Sequence, residues 1–136
     1  MVTGGAQGIG AGICQMLAAQ GATVFVADIN LVAAQQLARA IGSAAHAVAL
    51  NVCEEDQWRS AIAQVEKQCG HLDILIQSAG ISRPASIEDA DLSEWRDHMR
   101  VHGEGAFLGC KYAVAAMKET GGGSIINISS VESIRP

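Results

Sequence analysis

Apolar and polar positions alternate along this chain in two rhythms. Short runs rich in β-branched and apolar residues give way to longer stretches in which apolar residues recur at helical spacing, with turn residues between them. The short runs are Met1 to Thr3, which reads as the stub of a strand, Ala22 to Asp28, Ala45 to Leu50, Leu72 to Gln77 and Ser124 to Ser129. Between them the spacing predicts a helix from Gly8 to Gln20 with Ile9, Ile13 and Leu17 on one face, and another from Leu31 to Ile41 ended by Gly42. A third runs from Glu54 to Cys69 with Trp58, Ile62, Val65 and Cys69 inward, ended by Gly70. A polar loop from Ser78 to Asp89 precedes a long helix to about Met117, whose start, Asp91-Leu92-Ser93-Glu94, has the spacing of a capping box that satisfies two free N–H groups. Strand and helix alternate from end to end, which predicts an α/β fold: a parallel sheet with helices on both faces. No solenoid repeat, low-complexity tract or linker breaks the pattern, so residues 1–136 read as one domain.

Composition narrows the class. Nearly half the residues are apolar and only 17% are charged, a balance that opposes disorder. The net charge of −5 comes with scattered lysines such as Lys67, Lys111 and Lys118, so a nucleic-acid partner has no electrostatic support. Cys14, Cys53, Cys69 and Cys110 are far apart and show no C-x-x-C pairing, which reads as reduced thiols without a metal. No apolar run is long enough to cross a bilayer and no leader precedes the first element, so the expectation is a soluble cytoplasmic protein with no membrane partner.

The chemistry is concentrated where strands end. In Val2-Thr3-Gly4-Gly5-Ala6-Gln7-Gly8-Ile9-Gly10, spaced glycines close a strand and open a helix. Gly4 can take a turn conformation costly to other residues, Gly8 lets backbone approach a phosphate, and Gly10 lets the helix sit close to the sheet. The helix N-terminus then faces an anion with free N–H groups and partial positive charge. Asp28 ends the second strand about twenty residues later, where a carboxylate can accept hydrogen bonds from both ribose hydroxyls of an adenosine. A 2′-phosphate would meet like charge there, and Gln7 offers no cation to neutralise it, so NAD is favoured over NADP. The alternative for Asp28 is a solvated strand-ending carboxylate. Asn51 and Val52 end the third strand, where they can hold an adenine by one hydrogen bond and one apolar contact. Ser78, Ala79 and Gly80 end the fourth and leave room for a cofactor on backbone.

Taken together, Thr3-Gly4-x-x-x-Gly8-x-Gly10, Asp28, the small-residue turn after Leu75-Ile76 and Gly123-Ser124-Ile125-Ile126-Asn127-Ile128-Ser129-Ser130 resemble the short-chain dehydrogenase/reductases along the whole chain. The resemblance implies a Rossmann-type doubly wound sheet with strands 1 to 5 in the order 3-2-1-4-5, and an NAD(P)-dependent oxidoreductase acting on a small alcohol or ketone. It implies that Ser130 is the catalytic serine, holding the substrate oxygen, and that Gln7, Ile9, Ile29, Val101 and Ile128 join the cofactor-binding set. It also implies a homo-oligomer, a dimer or tetramer, in part through the long helix.

Departures from that family matter as much. Gln77-Ser78-Ala79-Gly80 stands where the family writes Asn-Asn-Ala-Gly, which keeps the small residues and is expected to lose amides that brace the sheet. Val101-His102-Gly103-Glu104-Gly105 puts His102 where the family has an asparagine; its imidazole either holds a water chain that feeds protons to the site or is satisfied locally. His46, His71 and His98 read as surface or strand-edge residues. The family's Tyr-x-x-x-Lys pair, the proton-exchanging tyrosine and its lysine, is expected roughly a dozen residues after the serine. The chain reaches only Pro136, and Tyr112 lies on the wrong helix to substitute. The expectation is therefore an incomplete dinucleotide-binding domain, a piece of a longer enzyme. A second reading is a non-catalytic NAD-binding or regulatory module, since fold alone does not establish turnover; a nucleoside-dependent methyl transferase is weaker, because the glycine turn and serine pair oppose it. Substrate contacts are expected between Ser82 and Glu88 and around Ser130.

Overall fold

A computed structural model of the chain describes residues 1–83 and 86–130. The five strands are β1 (Val2–Thr3), β2 (Val24–Asp28), β3 (Ala45–Ala49), β4 (Ile74–Gln77) and β5 (Ser124–Asn127). They form one sheet in the order β3-β2-β1-β4-β5. Every pairing is parallel, with Val2 opposite both Val26 and Ile76, and Gln77 opposite Asn127. This is the expected doubly wound order. The helices are α1 (Gly8–Ala19), α2 (Leu31–Ile41), α3 (Glu55–Cys69), α4 (Leu92–His98) and α5 (Gly105–Glu119).

The central strands are apolar up to their carboxyl-terminal residues, Thr3, Asp28 and Gln77, because both sheet faces are covered. Val2, Val24, Val26 and Ile76 meet Cys14 of α1 and Ala34 and Ala38 of α2 on one face. Phe25, Ala27, Val48 and Leu75 meet Trp58, Ile62 and Val65 of α3 and Ala113 and Met117 of α5 on the other. Trp58 is fully buried, and its indole N–H donates to the Val52 carbonyl at 2.9 Å, so the largest core side chain also has its polar atom satisfied. Local signals set the ends. Asn30 accepts from the Ala33 N–H at 3.1 Å to start α2, and Gly70, left-handed at φ +80°, ends α3.

The structure corrects three local expectations. Ile9 is 67% exposed while Ile13 and Leu17 pack, half-buried, against the core as expected, and the fully buried positions of α1 are Gly10 and Cys14, because the helix start sits too close to the glycine turn for a large side chain. Of the expected capping box only one half forms: Asp91 accepts from the Ser93 N–H at 2.7 Å. The long helix is not uniform, since Met99–Glu104 between α4 and α5 winds as a π-helix. Such insertions carry one extra residue per turn and re-aim the side chains after them. At the β5 edge Ile126 and Ile128 stand exposed.

Candidate functional site

β1 is flanked by β2 on one side and β4 on the other, so the chain crosses the sheet in opposite directions from this strand. A crevice forms at the carboxyl ends of strands at such a switch point. Here it encloses about 380 Å3 and is walled by Thr3, Val52, Gln77, Ala79, Val101, His102, Gly105, Ala106 and the run Asn127 to Ser130. Six residues singled out from the sequence, Val52, Ala79, Val101, His102, Ile128 and Ser130, thus meet in one place.

The glycine turn closes one end of this region. Gly4 is left-handed at φ +60°, and a Cβ there would stand 2.7 Å from the Ala79 Cα. Gly8 is also left-handed, at φ +53°, and faces open space, which leaves its backbone approachable. Gly10 fits differently from expectation, because a Cβ would overlap the Gly4 carbonyl oxygen; it is the turn's own backbone, not the sheet, that demands a glycine. At the cap of α1, Gln7 is extended and its side chain makes no cap bond, so it does not compete for the first-turn N–H groups. None of this needs a cationic side chain.

Asp28 is held rigidly beside that turn. Its Oδ2 accepts from the Ala6 N–H at 3.0 Å and its Oδ1 from the Asn30 N–H at 2.9 Å. A carboxylate has roughly four lone-pair directions, so each oxygen keeps capacity for a further donor. Ile29, next in sequence, is 73% exposed and offers an apolar surface beside the carboxylate. Asn51 accepts from the Cys53 N–H at 3.1 Å, its own N–H donates to Gln57 at 2.7 Å, and its amide N–H groups make no bond among the described residues. Val52 is buried against Gly105, whose Cβ would fall 2.9 Å from it, so its apolar contact goes to α5.

Two residues without an assigned function in the sequence reading hold the crevice together. Thr3, 1% exposed, accepts from both the Ser78 and Ala79 N–H groups at 3.2 Å through its hydroxyl and so ties the loop after β4 to β1. Gln77 retains the bracing that its departure from the family pattern was expected to remove. Its Nε2 lies 2.9 Å from Asn127 Oδ1, 3.1 Å from the Ala106 carbonyl and 3.4 Å from Cys110 Sγ, joining β4, β5 and α5. Gly109 leaves the space, for a Cβ there would lie 2.7 Å from Gln77 Cδ. The signal for this in sequence is the small residues Gly105, Gly109 and Ala113 at four-residue spacing on one helix face.

His102 and Ser130 both line the crevice. The His102 Nε2 is 3.0 Å from the Ile81 carbonyl, and its ring stacks on His98 at 5.8 Å between centroids. His98 is thus a helix residue stacked behind His102, and its Nδ1 donates to the Glu94 carbonyl at 2.8 Å. Of the loop Ser82 to Glu88, Pro84 and Ala85 lie outside the described residues. Among the described residues no group of three His, Cys, Asp or Glu side chains is placed to hold a metal, and no helix is long and apolar enough to cross a membrane.

This geometry has close parallels. The chain is 40% identical over 136 residues to a 3-beta-hydroxysteroid dehydrogenase of Comamonas testosteroni, covering 100% of this chain and 53% of that protein. It is 41% identical over 140 residues to a trans-4-hydroxycyclohexanecarboxylate dehydrogenase of Sinomonas cyclohexanicum, covering 96% and 54%. The chain spans about half the length of the curated relatives it matches. In structure it is similar to a 3-ketoacyl-(acyl-carrier-protein) reductase from Brucella melitensis complexed with NADH, with a TM-score of 0.95 at 30% identity over 99% of this chain and 57% of that one. The sequence pattern described as short chain dehydrogenase matches residues 1–136, and the chain belongs to that family.

Proposed function

We propose that the protein transfers hydride between a nicotinamide cofactor, NAD in preference to NADP, and a small-molecule alcohol or ketone. The observation that carries this is the Asp28 carboxylate, locked between the Ala6 and Asn30 N–H groups beside an α1 N-terminus whose cap makes no side-chain bond. Anion and ribose are offered adjoining sites, and a 2′-phosphate would face a fixed negative charge. Gly4, Gln7, Gly8, Ile9 and Gly10 line the diphosphate side, and Asp28 grips the ribose. Ile29, Asn51 and Val52 frame the adenine, the last through its backbone, since its side chain is committed to Gly105. Ser78, Ala79, Gly80, Val101 and Ile128 frame the nicotinamide half. When bound, the nicotinamide ring supplies the hydride acceptor or donor. Ser130 holds the substrate oxygen and stabilises charge developing on it, while His102 keeps Nδ1 for a water that carries protons.

The partner is a second copy of the chain. Leu92, Trp95, Met99, Phe107 and Val114 of α4, the π-helical turn and α5 stand exposed, with Leu92 and Val114, and Met99 and Phe107, equally spaced about Gly103. A two-fold through Gly103 would set Leu92 on Val114, Met99 on Phe107 and Trp95 on Lys111, a self-complementary arrangement.

The test is titration of the chain with NADH and NADPH by nicotinamide fluorescence. The wild type binds NADH the more tightly. Asp28→Ala loses about 10- to 100-fold in NADH affinity, as expected for one or two charge-assisted hydrogen bonds, and discriminates less against NADPH. Unchanged affinity for both nucleotides removes Asp28 from the site.

A further inference from the structure

We propose that the outer edge of β3 is a docking trench for an extended acidic segment of another protein, which adds to the sheet beside β3. Ladder geometry leaves this edge open. The Val24 N–H donates to the Ala44 carbonyl at 2.7 Å and the Leu50 N–H to the Asp28 carbonyl at 3.0 Å, with Val24 opposite Ala45 and Asp28 opposite Ala49. Alternate residues of a parallel strand bond to the same neighbour, so Ala45, Ala47 and Ala49 turn their peptide groups away from β2. The Ala45 N–H is used within the chain, by the Gly42 carbonyl at 3.1 Å. The Ala47 carbonyl accepts from Gln64 Nε2 at 3.4 Å, a long bond that a strand N–H can replace. The Ala47 N–H and both peptide groups of Ala49 make no hydrogen bond among the described residues. Native edges are blunted by a lysine, a proline or a bulge, and Ala45-His46-Ala47-Val48-Ala49 has none of these.

The edge lies at the floor of a trench. Gln35 and Arg39 of α2 wall it on one side of the sheet and Gln64 and Gln68 of α3 on the other, and the space between them is about 540 Å3. Main-chain bonds to β3 set the register of an added strand, and these walls read its side chains. Each of those wall residues donates hydrogen bonds, Arg39 carries a full positive charge, and no carboxylate lines the trench. Arg39 is exposed and has no ion pair or hydrogen bond among the described residues, in a chain whose net charge is −5. A carboxylate on the incoming strand matches the guanidinium fork in charge and geometry. A second copy of this chain fits less well. Antiparallel pairing about a two-fold at Ala47 would set Ala45 on Ala49, but it would bring two Arg39 side chains into one trench with no acid between them. No residue lining the trench belongs to the nucleotide crevice, so the inference stands whether or not that crevice binds NAD.

The experiment titrates the 15N-labelled 136-residue chain with the end-blocked peptide Thr-Val-Asp-Val-Thr, and with a twin carrying lysine in place of the aspartate. The aspartate peptide is expected to shift the amide signals of Ala47 and Ala49, and the lysine twin to bind about 5-fold more weakly, a difference that shrinks with added salt. Arg39→Glu is expected to reverse the order of the two peptides. Ala47→Pro removes an outward N–H, a change that an edge strand tolerates, and is expected to abolish binding. If Ala47→Pro does not fold, Ala49→Pro removes the other outward N–H and takes its place. Unmoved Ala47 and Ala49 signals at about 1 mM aspartate peptide overturn the proposal. Equal affinity for the two peptides, or an unaltered order in Arg39→Glu, overturns the acidic partner. Undiminished binding to the proline variant overturns strand addition. A wild-type dimer in sedimentation velocity that the proline variant dissolves assigns the edge to a second copy, and overturns the acidic partner equally.

Discussion

Replacing either of two glycines in α1 by alanine separates local propensity from tertiary fit. Gly10 and Gly12 belong to the same helix, and in an exposed helix interior alanine is favoured over glycine by about 0.5 to 1 kcal/mol. At Gly12 a Cβ would meet nothing within 4 Å, so Gly12→Ala should realise that gain. At Gly10 the Cβ would overlap the Gly4 carbonyl oxygen and stand 2.9 Å from its carbon and 3.1 Å from the Gly5 Cα. All three are backbone atoms of a turn already fixed at φ +60°, so no side chain can swing aside. Overpacking against unyielding atoms costs about 1 to 3 kcal/mol or more, which exceeds the helical gain. Gly10→Ala should therefore be less stable than Gly12→Ala by about 3 kcal/mol, near 10 °C in melting temperature for a chain of this size. Urea unfolding followed by far-ultraviolet circular dichroism, with slopes compared to confirm a common unfolded state, measures the gap. If the two variants unfold within about 0.5 kcal/mol of each other, the close approach of α1 to the glycine turn is wrong, and the diphosphate cradle built on it with it.

Other outcomes follow from single contacts. Gln77→Leu keeps the volume but removes the bonds to Asn127 and Ala106, and should cost about 1 to 2 kcal/mol in the same unfolding assay; an unaltered midpoint would mean that the strut between β4, β5 and α5 does not stabilise the fold. Burial pushes the Cys14 thiol up to about 11 from 9.0. The folded state then keeps a proton that the unfolded state releases, so this contribution is intact below pH 9 and is lost as pH rises from 9 towards 11. It amounts to about 2 to 3 kcal/mol at one pKa unit per 1.36 kcal/mol; Cys14→Ala should lose correspondingly less stability between pH 8 and 11 in denaturant titrations, and equal losses in both proteins would remove Cys14 as the cause.

The alternation of strands and helices, the ends of α2 and α3 and the glycine turn are determined by the sequence, because each depends on neighbours a few positions apart. Hydrophobic period, a capping asparagine and a left-handed glycine act locally, and α2 begins and ends where its residues predict. Strand order followed from the resemblance, and the sheet has it. What only the tertiary structure decided are contacts between residues distant in sequence. Ile9 has the right period for the core, yet it is exposed, because the start of α1 lies so close to the turn that its inward position there is Gly10, while Ile13 and Leu17 further along do pack inward. Gln77 reads as a lost brace until the space left by Gly109 lets its longer side chain reach Ala106 and Asn127. His102 meets Ile81 across 21 positions through a π-helical turn that no local preference announces. Local backbone chemistry is written in adjacent residues, whereas the separation between packed elements is set by all their side chains at once, and it is that separation which selects the contacts forming the crevice.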